Sequence, residues 1–187
     1  MFSYRVDDEI ELRILQTHDV REFFAFVQNN RAHLNEWLLW PLHIHSEEDA
    51  RAFLQEGMDD FARDGLPVIG IYARGELAGG FAFFPLDRRI NAAEFGYWLG
   101  KEFVGRGIMS RALDAVLKYL YATIGVHRVQ LRMEIDNTAS RALAERAGFT
   151  FEGIARQGWK RDDALRDVAI YSLLASEWKD KNESHRE

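Results

Sequence analysis

The sequence predicts one mixed α/β domain: a mainly antiparallel sheet with a single parallel βαβ crossover. Three observations predict it. Apolar residues alternate between a period of 2 and a 3–4 spacing in the order β-α-α-β-β-β-α-β-α-β-β. A strongly amphipathic segment at 105–124 lies between two apolar strands, whereas most other strands follow one another across short turns. The chain has 187 residues, the size of one domain that buries roughly 70% of its unfolded surface without staples. Residues 1–178 are read as that domain. The tail 179–187 has no apolar residue and is expected to fray.

Each element follows from local pattern. Ile10, Leu12 and Ile14 alternate with Glu11 and Arg13, which predicts a strand. From Thr17 onward Val20, Phe23, Phe24 and Val27 share one helical face. Ser46-Glu47-Glu48-Asp49 has capping-box spacing, with Asp in place of the usual Glu or Gln. It opens a second helix carrying Ala50, Phe53, Leu54, Met58 and Phe61 that stops near Gly65. Two apolar runs, 68–73 and 77–84, flank Arg74-Gly75-Glu76 and predict a hairpin; 93–99 is a third strand. Met109, Leu113, Val116, Leu117, Leu120 and Ile124 mark the long helix. A strand at 128–135, a helix at 137–147 ended by Gly148, and strands at 149–158 and 166–175 complete the chain.

Composition narrows the function. Apolar residues are 47%, charged residues 29% and aromatics 13%, which excludes a disordered, collagen-like or coiled-coil chain. With 24 basic and 30 acidic residues the net charge is −6, which argues against a nucleic-acid partner and suits a cationic substrate such as an amine. The absence of cysteine excludes disulfides, thiolate metal sites and cysteine nucleophiles. Met1 to Glu9 lack an apolar leader, and no apolar run approaches the ~20 residues of a membrane span, so no membrane partner and a cytoplasmic location are expected. His43 and His45 lack a third ligand and are read as surface residues, so no metal is expected.

The informative segment runs from Gly96 to Ala112: strand, short loop, Gly105-x-Gly107, amphipathic helix. Such a loop presents backbone N–H groups at the positive end of a helix, a fit for pyrophosphate. It could equally be glycines closing a tight loop. A Walker loop is excluded because no Gly-Lys-Ser/Thr follows. A dinucleotide fingerprint is excluded because Ser110 stands where its third glycine belongs. A third reading is the pyrophosphate of coenzyme A. Downstream, Asn137 falls where a strand ends and a helix begins, the place of an ordinary N-cap.

Taken together, Gly105-x-Gly107, Asn137-x-x-Ser140, Ala147-Gly148-Phe149, Trp40-Pro41, Ser46 to Asp49, Glu94 to Leu99 and Glu152-Gly153 resemble the GNAT superfamily of acetyl-CoA-dependent N-acetyltransferases. More narrowly they resemble its RimL-type branch, the ribosomal-protein serine N-acetyltransferases. The likeness spans about residues 10–175. It implies a central sheet splayed at the coenzyme site, helices on both faces, and acetyl-CoA as cosubstrate. Pantetheine would then bond backbone groups near Trp98 and Leu99, as an added strand would. The pyrophosphate would lie on the segment Val104, Gly105, Arg106, Gly107, Ile108, Met109 and Ser110, with Asn137 and Ser140 near the thioester. Transfer to a primary amine is implied, foremost a protein N-terminal α-amine. The alternatives are a small amine or aminoacyl-nucleotide acetylated for self-protection, and a non-catalytic acyl-CoA-binding module.

By the same resemblance, many family members protonate the leaving thiolate with a tyrosine on the helix after the asparagine. Ala144 stands there, and Ser140 is the candidate acid in the RimL-type branch. Glu94 is the candidate base, with an ion pair as its alternative role. Trp159 occupies the place where RimL-type enzymes carry a carboxylate. Alternation along the strand puts Glu94, Gly96 and Trp98 on one face. At pH 7 about 15% of an α-amine is neutral but only about 0.04% of a lysine, a difference from full neutrality of roughly 4.6 kcal/mol for lysine, so a site with a weak base suits α-amines. Trp37, Trp40, Tyr97 and Trp159 are the candidate acceptor-side residues, the first two with a core role as the alternative. Asp162, Asp163 and Asp167 form an acidic group between the last strands, explained equally by a basic peptide or an ordinary hairpin loop. An exposed 78–84 strand, or the Trp37/Trp40 loop, would suit a homodimer.

Overall fold

Alternating and helical stripes become elements as expected in the computed structural model, which describes residues 3–63, 65–161 and 163–178. The expectation for the tail 179–187, and that for Asp162, lie outside the described residues. The chain forms two compact units: Met1–Pro85 with Gly96–Ala115, and Leu86–Phe95 with Val116–Glu187.

The first unit contains β1 (Ser3–Arg5), β2 (Ile10–Ile14), α1 (Val20–Asn35), α2 (Glu47–Ala62), β3 (Ile69–Ala73) and β4 (Glu76–Phe83). It also holds the second half of β5 (Ala92–Leu99) and the start of α3 (Ile108–Tyr119). Its strand order is β1-β2-β3-β4-β5. Strand β2 lies antiparallel to β3 with Ile10 opposite Ala73 and Leu12 opposite Ile71, so its buried residues meet buried partners. A core of Val20, Phe23, Phe26, Val27, Leu54, Tyr72, Leu77 and Trp98 joins α1, α2 and the sheet. Helix α1 starts later than the pattern suggested, because a 3-10 turn, Thr17–Asp19, precedes it. Asp49 performs the capping-box role of a glutamate. Its Oδ2 accepts from the amides of His45 and Ser46, both at 2.9 Å, while the Ser46 Oγ accepts from Asp49 N. These donors hold the Asp49 carboxyl below its usual range. Strand β1 has three exposed residues and no apolar alternation, which is why the pattern did not reveal it.

The expected exposed strand at 78–84 is corrected. Strand β4 is paired on one edge by β3 and on the other by β5, and Leu77, Ala78 and Phe81 are buried. Only Phe84, beyond the strand end, is an exposed large apolar residue there. An interior strand offers no edge to a second copy. Two of its glycines admit β5: a Cβ on Gly79 would lie 2.2 Å from the Trp98 carbonyl oxygen, and one on Gly80 would lie 2.5 Å from the Trp98 ring.

The second unit contains the first half of β5, the end of α3, β6 (Arg128–Glu134), α4 (Thr138–Ala147), β7 (Thr150–Arg161) and β8 (Ala164–Leu174). Its strand order is β5-β6-β8-β7. β5 and β6 are parallel, from Ala92 opposite Arg128 to Glu94 opposite Gln130, and are connected through α3, the predicted crossover. The other two pairs are antiparallel. The long helix is shorter than its apolar spacing implies. After Tyr119 the chain widens into a π turn, Leu120–Ile124, and Gly125 at φ +75° turns it toward β6. Gly148 at φ +93° ends α4 as predicted. The last hairpin is longer than predicted, reaching Arg161 and resuming at Ala164, with a register shift between Ala155 and Trp159 where Gln157 takes φ +54°.

Replacing Gly79 by alanine should cost about 1–3 kcal/mol of unfolding free energy, because a backbone carbonyl cannot retreat as a flexible side chain would. Urea denaturation of the variant beside the parent protein checks this. A change below about 0.5 kcal/mol would contradict the close approach of β4 and β5.

Candidate active site

The glycine loop is held from both ends. At its start Gly100 N donates to the Ala78 carbonyl at 2.7 Å, and a Cβ on Gly100 would meet Phe26, Asn30 and Phe103. Lys101 N donates to Asn30 Oδ1 at 2.9 Å, tying the loop to α1. A 3-10 turn, Lys101–Phe103, buries the Phe103 ring, and the Arg106 guanidinium lies 5.6 Å above it. Gly105 and Gly107 then take φ +79° and +70°. Such values are disfavoured for any residue with a Cβ, yet a Cβ at either position would meet nothing within 4 Å. Conformation rather than crowding therefore calls for glycine, and the space beside both is open.

Helix α3 begins at once. Its first ladder bond is Arg111 N to the Gly107 carbonyl at 3.2 Å, which leaves the amides of Ile108, Met109 and Ser110 ahead of the ladder. Val104, Gly105, Arg106 and Gly107 are exposed, while the Ile108 and Met109 side chains are buried and anchor the turn. Arg111 supports the same loop from beneath. Its guanidinium donates to Asp7 Oδ2 at 2.6 Å, Glu9 Oε2 at 2.9 Å, and the carbonyls of Arg106 and Gly107, both at 3.4 Å. The first unit thus presents backbone N–H groups at the N-terminus of a 12-residue helix, a chemical match for a diphosphate.

The aromatic candidates divide. Trp98 is buried and meets Trp40 edge-on at 5.2 Å; Trp40 also stacks on Phe53 at 5.0 Å and Phe23 at 5.8 Å. Trp40 is therefore packed against the core, and its ring is engaged there. Trp37 and Leu99 are half-buried, and Tyr97 is half-buried with its ring edge-on to Phe81. The buried positions on β5 change phase, from Ala93 and Phe95 to Trp98.

In the second unit Asn137 is the N-cap of α4: its Oδ1 accepts from Ser140 N at 3.0 Å. Arg141, one residue on, donates to the Ile135 carbonyl and the Tyr171 hydroxyl, fixing this helix start to β6 and β8. Ser140 is half-buried. Ala144 is fully buried, a place filled by packing. Glu94 faces β6, where Gln130 Nε2 donates to its Oε2 at 2.8 Å and Arg132 Nη1 stands 3.9 Å from its Oε1. The Arg132 guanidinium also lies 5.6 Å from the centre of the half-buried Trp159 ring. Of the acidic residues in the last hairpin, Asp163 pairs with Lys160 at 2.8 Å and Asp167 accepts from Gln157 N at 2.8 Å. Among the described residues no helix is long and apolar enough to cross a membrane.

Residues 9–150 match the family model described as an acetyltransferase (GNAT) domain. The chain belongs to the GNAT acetyltransferase family. This acetyltransferase is 30% identical over 172 residues to the ribosomal-protein-serine acetyltransferase of Escherichia coli (strain K12), covering 92% of this chain and 96% of that one. Among solved structures it resembles RimL, the ribosomal L7/L12 alpha-N-protein acetyltransferase in complex with coenzyme A. The TM-score is 0.87, with 32% identity over 92% of this chain and 97% of that one. It also resembles the microcin C7 self-immunity acetyltransferase MccE in complex with acetyl-CoA and AMP. There the TM-score is 0.86, with 27% identity over 90% and 94% of the two chains.

Two features of this acetyltransferase escaped the sequence reading. One is the Arg111 clamp, which joins residues more than 100 positions apart and leaves no local signal. The other is a polar row on β6. Arg128, Gln130 and Arg132 alternate with Val129, Leu131 and Met133, a period-2 pattern that was visible but read only for its apolar half. From this row Arg128 grips Glu152 with two bonds of 2.6 Å, and Ser172 donates to the same carboxylate at 2.7 Å. The Arg128 guanidinium foremost, then Ser172, holds the Glu152 carboxyl down to about 2. A depressed folded-state pKa stabilises the fold above the unfolded value and loses that stabilisation as pH falls toward 2. Glu152→Gln should therefore shrink the loss of thermal stability between pH 5 and pH 2.5. Melting curves of both proteins at the two pH values test this, and an unchanged loss would rule out the Arg128–Glu152 pair as a source of acid sensitivity.

Proposed function

We propose that this acetyltransferase moves the acetyl group of acetyl-CoA to the N-terminal α-amine of a protein, with a ribosomal protein as the foremost acceptor. The observation that carries the reading is the near-complete overlap with RimL, whose described substrate is the α-amine of ribosomal L7/L12. The glycine loop supports it independently, since open space beside two left-handed glycines and three amides ahead of the α3 ladder suit a diphosphate.

Bound acetyl-CoA supplies the activated acyl group. The chain's residues do the rest. Amides from Gly105 to Ser110 hold the diphosphate, and Arg106 adds a charge-assisted contact. Backbone groups at Trp98 and Leu99 receive the pantetheine arm, and an N–H of this stretch steadies the negative charge on the carbonyl oxygen. Asn137 keeps the start of α4 in place, and the Ser140 hydroxyl donates a proton toward the departing sulfur. Glu94 takes the proton that the attacking amine gives up. Residues 1–178 act as one catalytic domain in this reading. Tyr97, Trp159, Trp37 and the remaining face of Trp40 border the acceptor.

Thiol release from acetyl-CoA with a peptide panel tests the reading. Peptides with a free N-terminal serine or alanine should turn over, and the same peptides with a blocked N-terminus and an internal lysine should be at least 100-fold slower. Activity confined to blocked, lysine-containing peptides or to small amines would overturn the proposed acceptor. Ser140→Ala should lower kcat about 100-fold with little change in the KM for acetyl-CoA, the size expected for a lost general acid. An unchanged kcat would return Ser140 to the role of a cap-region residue.

A further inference from the structure

We infer that Gln130 is a positioning residue for the acceptor side of the reaction: it fixes the Glu94 carboxylate by one oxygen and leaves the other clear of the sheet's own hydrogen bonds. The inference rests on the reading of Glu94 as the proton acceptor. The geometry behind it is a continuous polar chain on one face of the second unit. Ser172 Oγ donates to Glu152 Oε1 at 2.7 Å. Both terminal nitrogens of Arg128 donate to Glu152, each at 2.6 Å. Arg128 Nη2 donates also to Gln130 Oε1 at 3.0 Å. Gln130 Nε2 then donates to Glu94 Oε2 at 2.8 Å.

The direction of this chain is set by chemistry at both ends. A guanidinium only donates, so the Gln130 oxygen must face Arg128. The amide nitrogen is then left for Glu94, and it can only donate. The amide is thereby locked in one of its two flips, and it locks the carboxylate in turn. Register adds to the constraint, since Glu94 and Gln130 are opposite each other at the last paired position recorded for β5 and β6.

The second oxygen is treated differently. Among the described residues Glu94 Oε1 accepts no hydrogen bond; Arg132 Nη1 faces it at 3.9 Å, beyond bonding distance. The next acid along β6, Glu134, is buried and taken by Arg161 at 2.7 and 2.8 Å, so it does not compete. Oε1 is thus the atom placed to take a proton. In the step itself the amine nitrogen bonds the acyl carbon, the carbon–sulfur bond breaks, and the proton leaves nitrogen for Oε1. Gln130 gains and loses nothing.

Two variants and a reference test the inference through the pH dependence of kcat/KM on a free-N-terminus peptide. Glu94→Gln is the reference and should remove the acidic limb together with at least 100-fold of the rate. Gln130→Met should lower kcat/KM about tenfold, with the KM for acetyl-CoA changed less than twofold. Gln130→Glu keeps the shape and the bond to Arg128 but sets a second carboxylate against Glu94. Its acidic limb should rise above the parent's, because a like charge is set beside the carboxylate. The double variant Glu94→Gln with Gln130→Met should lose no more than Glu94→Gln alone. If Glu94→Gln removes the limb while both Gln130 variants keep the parent profile, the positioning role is overturned and the base reading stands. If Glu94→Gln keeps both limb and rate, the base reading fails and the inference with it.

Discussion

Two residues in left-handed backbone conformation govern the first unit. At Gly105 and Gly107 the chain must pass from a 3-10 turn into α3 without a side chain over the junction. Because the ladder of α3 starts only at Arg111, three amides in front of it are available for a ligand, and they carry the positive end of the helix dipole. Such an arrangement costs conformational freedom, and the surrounding unit shows how it is held. Asn30 captures the amide of Lys101, Phe103 sinks into the core, and Arg111 binds the loop carbonyls to a turn built on Asp7. Asp7 in turn accepts from the amides of Glu9 and Ile10, so the clamp is anchored to the start of β2. The loop is thus held at its start, under its carbonyls and through Phe103, while the space beside both glycines stays open.

The second unit solves a different problem with strand parity. On β6 one set of alternate residues, Val129, Leu131 and Met133, is buried. The other set carries charges and an amide that would be costly if left unpaired on a partly buried face. The solution is a row of mutual partners: Arg128 with Glu152, Gln130 with Arg128 and Glu94, Arg132 with Trp159, and Glu134 with Arg161. Most of these pairs close with short, direct bonds. Arg132 also stands 3.9 Å from the second oxygen of Glu94, a looser approach than the 2.8 Å bond from Gln130 to the first.

The fold was legible wherever periodicity and caps agree. Ser46 with Asp49, Gly148 after Ala147, and the alternation of Ile10 to Ile14 placed their elements within a few residues. The glycine loop and the Asn137 cap were legible for the same reason: both are short-range signals set by backbone chemistry. What was not legible depended on tertiary company. The 78–84 segment reads as an edge strand or an interior one with equal ease, and only its pairing with both β3 and β5 decides. Trp40 reads as a wall or as core, and its stacking on Phe23 and Phe53 engages the ring with the core. The Arg111 clamp and the β7–β6–β5 polar row join residues far apart in sequence, so no window along the chain contains them.

Packing in the second unit accounts for the alanine at position 144. Ala144 is fully buried, and the neighbouring Tyr171 hydroxyl is already engaged by Arg141 and Glu145. In the proposed reaction the acid for the departing sulfur is instead the Ser140 hydroxyl, one turn earlier on the same helix. The harder demand is on the amine, which must lose a proton while it attacks. An α-amine is about 15% neutral at pH 7 and so asks less of the proposed proton acceptor than lysine, which would require roughly 4.6 kcal/mol more than a fully neutral amine. A four-residue polar chain leads to Glu94, and the Ser140 amide is bonded by the Asn137 cap.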